Sequence, residues 1–316
     1  MTIGIVASGL HAGEAVRKAV ITAELLGRGT IGGFTVFACM DGNGDVHHVW
    51  GQTGGVTALH IPPDWLCASK AAVISSGPNR PEPLVQFLPG RDGLGLVSGH
   101  PLPNRPSSDT SYSTPLNQRV LHLLADKATP QQAVDEVLQA NPEADAGLLA
   151  INVDGRIGFG NTQRVNRRTD LGQGSLVNDA TAFAFLHNSI YASDDLPAAL
   201  SGVLASALAQ KTGAQPQPLY EILHLTASVQ MAASDTDAVH VNALWGIVRV
   251  DTADPFLRTA RQQITLLYLG TPVLQHGLVV GHLASEVFSQ VDAGAIALSP
   301  IAIDNLALMR ACDVSP

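Results

Sequence analysis

The sequence predicts a mixed α/β (α+β) protein, and three observations carry that expectation. Short apolar, β-rich runs stop at Ser, Gly, Asn or Asp. Between them lie segments whose apolar residues recur at helical spacing. The chain is 46% hydrophobic and 14% charged, enough to bury a sizeable core. Its 316 residues suit one large domain or two ordinary ones.

The elements follow in order. "TIGIVA" (2–7) reads as a short buried strand, and "GEAVRKAVITAELLG" as a helix ended by Gly27. "IGGFTVFACM" and "DVHHVWGQ" form a hairpin on "DGNG", whose Gly residues favour left-handed backbone. A Pro/Gly-rich region (61–114) holds two more apolar runs, "AAVISSG" and "LGLVSGH". Two amphipathic helices come next, "TPLNQRVLHLLADKA" and "TPQQAVDEVLQANP". In the second, Thr129 suits the N-cap, Pro130 the first turn and Gln132 a capping box. "AGLLAINVDGRIGFGNT" predicts a second hairpin.

From 179 to 210 the pattern reads as helical, in "ATAFAFLHNSIYAS" and "LPAALSGVLASALAQ". "KTGAQPQP" (211–218) is a candidate linker. Beyond it the spacing predicts helices near 219–233, 256–269, 278–290 and 301–311, with a strand in "VHVNALWGIVRV". The expected organisation is a core over 1–210 with an α/β segment over 219–316 packed on it; one continuous domain is the alternative.

A net charge of −9 without a Lys/Arg block argues against a nucleic-acid partner. No apolar run approaches the length of a membrane span and no secretory leader is visible, so a cytoplasmic protein without a membrane partner is expected. Cys39, Cys67 and Cys312 form no CxxC pair. His47 and His48 are neighbours on a strand and point to opposite faces, and no HExxH occurs, so no metal site is expected. Neither a GxSxG elbow nor a GxGxxG loop is present, and no cofactor is expected.

Three apolar runs end alike: "GIVASGLHAG", "AVISSGPNRP" and "GLVSGHPLPNRP". Side by side, these strands would gather Ser8, Ser76, Ser98 and His100 at one edge. The twice-occurring "PNRP" would bring Asn79, Arg80, Asn104 and Arg105 nearby, with Arg suited to carboxylate or phosphate. His100 could serve Ser98 as a base. "GFGNTQRVNRRTD" offers Arg164, Arg167 and Arg168 as further contacts to an anionic small molecule. Ordinary turn chemistry explains the same residues without a ligand.

"GTIGGFTVFACMDGNGDVHHVWGQTGG" resembles the segment of plant-type asparaginases that begins Gly-Thr-Val-Gly and ends Thr-Gly-Gly. In that family the Thr after Gly is an autocatalytically released nucleophile. The resemblance implies Thr30 as nucleophile with Thr53 and Gly54 in support. Separately, "MTIGIVASG" with "TPLNQRVLHLLADKATPQQAVDEVLQANPEADAGLLAINVDGRIGFGNT" is similar to a domain family of unknown function in the same N-terminal-nucleophile (Ntn) hydrolase clan. That likeness implies Thr2 as nucleophile once Met1 is removed, with Gly4 where the family usually has Ser. Either likeness implies a layered αββα sandwich and an amidohydrolase acting on a small polar or carboxylate-bearing amide, with Arg80 or Arg105 holding a carboxylate. A homo-oligomer is expected. Two alternatives stay open: an unprocessed enzyme using the Ser98/His100 edge, and a non-catalytic binding or oligomeric protein.

Overall fold

A computed structural model describes residues 2–77, 79–103, 114–209 and 219–312. Strand makes up 39% of it and helix 23%. It divides into two compact units, one comprising Met1–Tyr191 with Leu204–Thr212, the other Ala192–Val203 with Gly213–Pro316.

In the first unit the chain runs β1 (Thr2–Ser8), α1 (Ala12–Leu26), β2 (Thr35–Met40), β3 (Val46–Gly51), α2 (Pro63–Leu66), β4 (Lys70–Ser76), β5 (Gly90–Arg91) and β6 (Gly95–Ser98). It continues through α3 (Leu116–Ala125), α4 (Pro130–Ala140), β7 (Gly147–Asn152), β8 (Ile157–Asn161), β9 (Leu171–Val177) and β10 (Ala182–Asn188). One sheet has the order β3-β2-β4-β1-β10-β9 and a second the order β5-β6-β7-β8.

Strand β1 lies antiparallel to both neighbours, with Thr2 opposite Ser76 of β4 and Asn188 of β10. Side chains alternate along a strand. Thr2, Gly4 and Val6 therefore share a face with Ile74, Ser76, Leu186 and Asn188. On that face Val6, Ile74 and Leu186 pack with Leu96, Leu149 and Ile151 of the second sheet. The opposite face carries Ile3 and Ile5, and α1 lies against β1 and β4. Helices α3 and α4 pack on Val97, Leu148 and Ala150 of the second sheet. The capping box of α4 is present: Thr129 Oγ1 accepts from Gln132 N at 3.3 Å, and Gln132 Oε1 accepts from Thr129 N at 3.0 Å.

Several sequence expectations are corrected. "ATAFAFLHNS" is strand β10, not helix. It is buried on both faces, so the alternation that marks a half-exposed strand is missing. The second unit is corrected most. After α5 (Leu196–Leu208), which straddles the division between the units, come β11 (Tyr220–His224), β12 (Val229–Ala233), β13 (Ala238–Val241) and β14 (Ile247–Thr252). With six more strands between Arg261 and Ala311 they form a ten-stranded sheet. The four helices expected there are strands instead. Two of its hairpins turn on His276-Gly277 and Ala293-Gly294, where both central residues have positive φ. Such two-residue loops suit the twist of paired strands, but only their second residue advertises the turn. The candidate linker 211–218 lies outside the described residues. Among the described residues, no helix is long and apolar enough to cross a membrane.

Candidate active site

A cavity of about 280 Å³ opens in the first unit, where the Thr2 end of β1 meets the ends of β4, β6 and β10. Its walls include Thr2, Arg80, Ser98, His100, Asp145, Asn161, Arg168 and Asn188. The structure thus brings together Thr2, Ser98, His100 and Arg80 from the sequence-based candidates. A neighbouring hollow of about 410 Å³ shares Leu102 and Asp145 with it.

Strand pairing fixes Thr2. Cross-strand neighbours on one face lie about 5 Å apart at Cβ, so Thr2 stands between Ser76 and Asn188. Ser76 Oγ accepts from Arg80 Nη2 at 3.0 Å, which holds the guanidinium beside Thr2. Gly4, one turn of the pleat further in, is required by close approach. A Cβ there would sit 2.7 Å from Leu149 Cδ1 and 2.9 Å from Ser98 Oγ. Ser98 itself is fully buried and donates to Val73 O at 3.3 Å.

The electrostatics divide the two arginines. Arg168 gives a two-pronged ion pair to Asp170, through Nε at 2.8 Å and Nη2 at 2.7 Å. Ser189 Oγ also donates to Asp170 at 2.8 Å, and these bonds hold the Asp170 carboxyl well below the usual carboxylate range. Arg80 Nε is buried without an acceptor. Burial, helped by the Arg80 charge, lowers His100 to about 4, so its ring is neutral near pH 7. His100 also meets Phe87 edge-on, with ring centroids 5.2 Å apart.

His187, which the sequence reading did not single out, also borders the cavity. It pairs in register with Ile3, and its ring lies over Gly172 on the other face of the sheet. Both ring nitrogens are buried without a partner, and burial lowers the ring to about 4. Asn188 and Asn161 were missed as well; each is the last residue of its strand, and no motif marks either.

Other candidates lie elsewhere. Ser8 is at the opposite end of β1 from Thr2, because β1 and β4 are antiparallel and Ser8 pairs with Lys70. That corrects the expected gathering of four residues at one edge. Thr30 sits in the turn after α1, where Oγ1 donates to Gly27 O at 2.7 Å, and it does not line the cavity. Thr53 and Gly54 occupy an exposed turn. The glycines around them have a packing role. Gly55 rests on the carboxylate of Glu24, which accepts from Val56 N at 3.0 Å beneath the loop. Burial pushes Glu24 up to about 8.

Asn79 is exposed and does not line this cavity, whereas Asn104 and Arg105 lie outside the described residues. Arg167 pairs with Glu143 at the surface, and Arg164 borders the neighbouring hollow. His47 stacks on Trp65 while His48 bonds Leu88 O, as their opposite faces require. Among the described residues, no three His, Cys, Asp or Glu side chains converge as metal ligands.

A family model described as a domain of unknown function (DUF6963) matches residues 2–217. A second, described as a domain of unknown function (DUF7259), matches residues 228–300. No curated protein matches the chain.

Proposed function

Because the chain belongs to the DUF6963 family over every residue that walls the cavity, we propose that this family domain is an amidohydrolase with Thr2 as nucleophile. The substrate class is a small polar or carboxylate-bearing amide. One observation carries the reading: Thr2 begins the central strand on the inner face of the sheet and borders the cavity beside Arg80, His100 and Asn188. The succession of α1, two facing sheets and α3/α4 supports an Ntn-type αββα sandwich.

The chemistry requires a free α-amino group on Thr2, hence hydrolysis of the Met1–Thr2 bond. With a pKa near ~8, an appreciable part of that amine is unprotonated at neutral pH. It takes the proton from Oγ1 as Oγ1 attacks the substrate carbonyl carbon. The carbonyl oxygen becomes an oxyanion, for which the Asn188 and Asn161 carboxamides supply N–H donors. Collapse breaks the C–N bond, the amine leaves with the proton, and water then hydrolyses the acyl ester to regenerate Oγ1–H. The neighbouring hollow gives room for the leaving amine.

The alternative with Ser98 and His100 is less well supported, since the Ser98 hydroxyl is buried and committed to Val73 O. The Thr30 alternative is less well supported too, since its hydroxyl is committed to Gly27 O and does not line this cavity. The test is intact mass together with amide turnover. A chain beginning at Thr2 is expected, with Thr2→Ala reducing kcat at least ~10³-fold and Thr30→Ala leaving both the start at Thr2 and turnover unchanged. Turnover by protein that retains Met1, or by Thr2→Ala, would sink the proposal. A break at Gly29–Thr30 would transfer it to Thr30.

A further inference from the structure

The charges around the cavity do not balance, and the imbalance specifies a ligand. Two guanidinium groups border it. Arg168 is neutralised by Asp170, whose carboxylate takes both its Nε and Nη2 bonds. Arg80 has no such partner. Its guanidinium donates to the neutral Ser76 hydroxyl, its backbone is tied to the Gln52 carboxamide, and its Nε–H is buried with no acceptor. Among the described residues no carboxylate lies within ion-pair distance of it. Asp145, the one carboxylate on the cavity wall among the described residues, is exposed at its rim. His100 is neutral and adds no second positive charge.

A buried guanidinium N–H left unpaired is costly, so an orphaned one bordering a cavity points to an acceptor that arrives with a ligand. Resting on the cavity assigned above, we propose that Arg80 is the receptor for a single carboxylate and that the site selects monoanions over dicarboxylates and phosphate. The guanidinium edge matches a carboxylate in plane and distance. A second negative charge would find Arg168 already paired and Asp145 repelling it. A phosphate monoester brings about −1.5 to −2 charges near pH 7 to a site where, among the described residues, Arg80 is the one guanidinium without a carboxylate partner and the Thr2 amine acts in its neutral form.

Occupancy has a second consequence. His100 faces Arg80 and Asp145, with the Phe87 ring against its edge. A carboxylate on Arg80 cancels the larger of the two charges that disfavour imidazolium, the other being the chain's amino terminus, so the ligand and a proton on His100 bind with positive linkage.

The experiment uses the full chain and butyrate, a monoanion with no amide to cleave, against succinate and inorganic phosphate, all by calorimetric titration. Butyrate is expected to bind at least ~10-fold tighter than either competitor, a difference of about 1.4 kcal/mol. Arg80→Gln should weaken butyrate at least ~10-fold, and Arg80→Lys, which keeps the charge and loses the fork, should fall between. Arg167→Gln, at the surface, should bind as wild type. Histidine NMR should show the His100 titration moving up when butyrate is present, and not in Arg80→Gln. Folding of each variant is checked by its amide spectrum. If phosphate or succinate binds as tightly as butyrate, if butyrate does not bind, or if Arg80→Gln binds unchanged, the proposal is overturned. Thr2→Ala separates it from the hydrolase reading: butyrate bound normally by a protein that cleaves no amide, before or after mutation, would leave the receptor standing and remove the hydrolase.

Discussion

At the scale of single residues, three buried ionisable groups set the pH response. Glu24 has a folded-state pKa of about 8 against an ordinary 4.5, because burial disfavours its charge. The folded protein therefore holds that proton more tightly than the unfolded chain. This contribution is complete below about 4.5 and is lost as pH rises through about 8. His100 and His187 act oppositely: lowered from 6.5 to about 4 by burial, they cost stability as pH falls below 6.5. Between pH 6.5 and 8 Glu24 acts against neither of them, so the melting temperature should fall across that window. Glu24→Gln should flatten it, as thermal melts at half-unit pH steps would show; an equally steep fall in the variant would refute this origin. Gly4 is the other sensitive position. Gly4→Ala drives a methyl against Leu149 and Ser98, and denaturant titration should register a loss of ~1–3 kcal/mol.

Elements differ in how openly the sequence declares them. The capping box of α4 is written in Thr129, Pro130 and Gln132, and it forms. Thr129→Ala should cost ~1 kcal/mol by equilibrium unfolding. The hairpins on "DGNG" and "VDGR" were legible for the same reason: their turn residues are unambiguous. The ten-stranded sheet was not. Its strands are short, and Val and Ile are interleaved with Leu, Ala and Gln, so the apolar spacing also suits a helix and long-range pairing decides for the sheet. Its Ala293-Gly294 turn illustrates the conflict, since Ala293 holds φ 48°. A left-handed Ala costs ~1–2 kcal/mol, so Ala293→Gly should stabilise the protein, by up to ~1 kcal/mol once the added freedom of the unfolded chain is counted; a fall in stability would count against that turn. The site was legible in part. Ser-Gly strand ends and the first "PNRP" marked Ser98, His100 and Arg80, because a strand stop followed by a rigid turn is a local signal. Asn188 and Asn161 were hidden, since their place at the cavity depends on which strands become neighbours; the Arg168–Asp170 pair is local, two residues apart, and carried no turn or motif signal. Ser8 misled because the direction of a neighbouring strand is not a local property.

For the whole molecule, the cavity draws every wall residue from the first unit. A chain shortened to residues 2–209 is expected to keep the butyrate site, measured by the same calorimetry after a folding check by amide NMR. Loss of binding in a folded fragment would assign the second unit a part in the site. The placement of β1 has a practical corollary. Seven residue pairs on each side clamp this strand between β4 and β10, and its first residue borders the cavity. On the mechanism proposed above, any peptide fused ahead of Thr2 starts at that opening and blocks the amine at its source. A purification tag at the amino terminus would therefore yield a well-folded protein that looks inert. The same tag placed after residue 316, or a leader removed cleanly to Thr2, would leave the amine free.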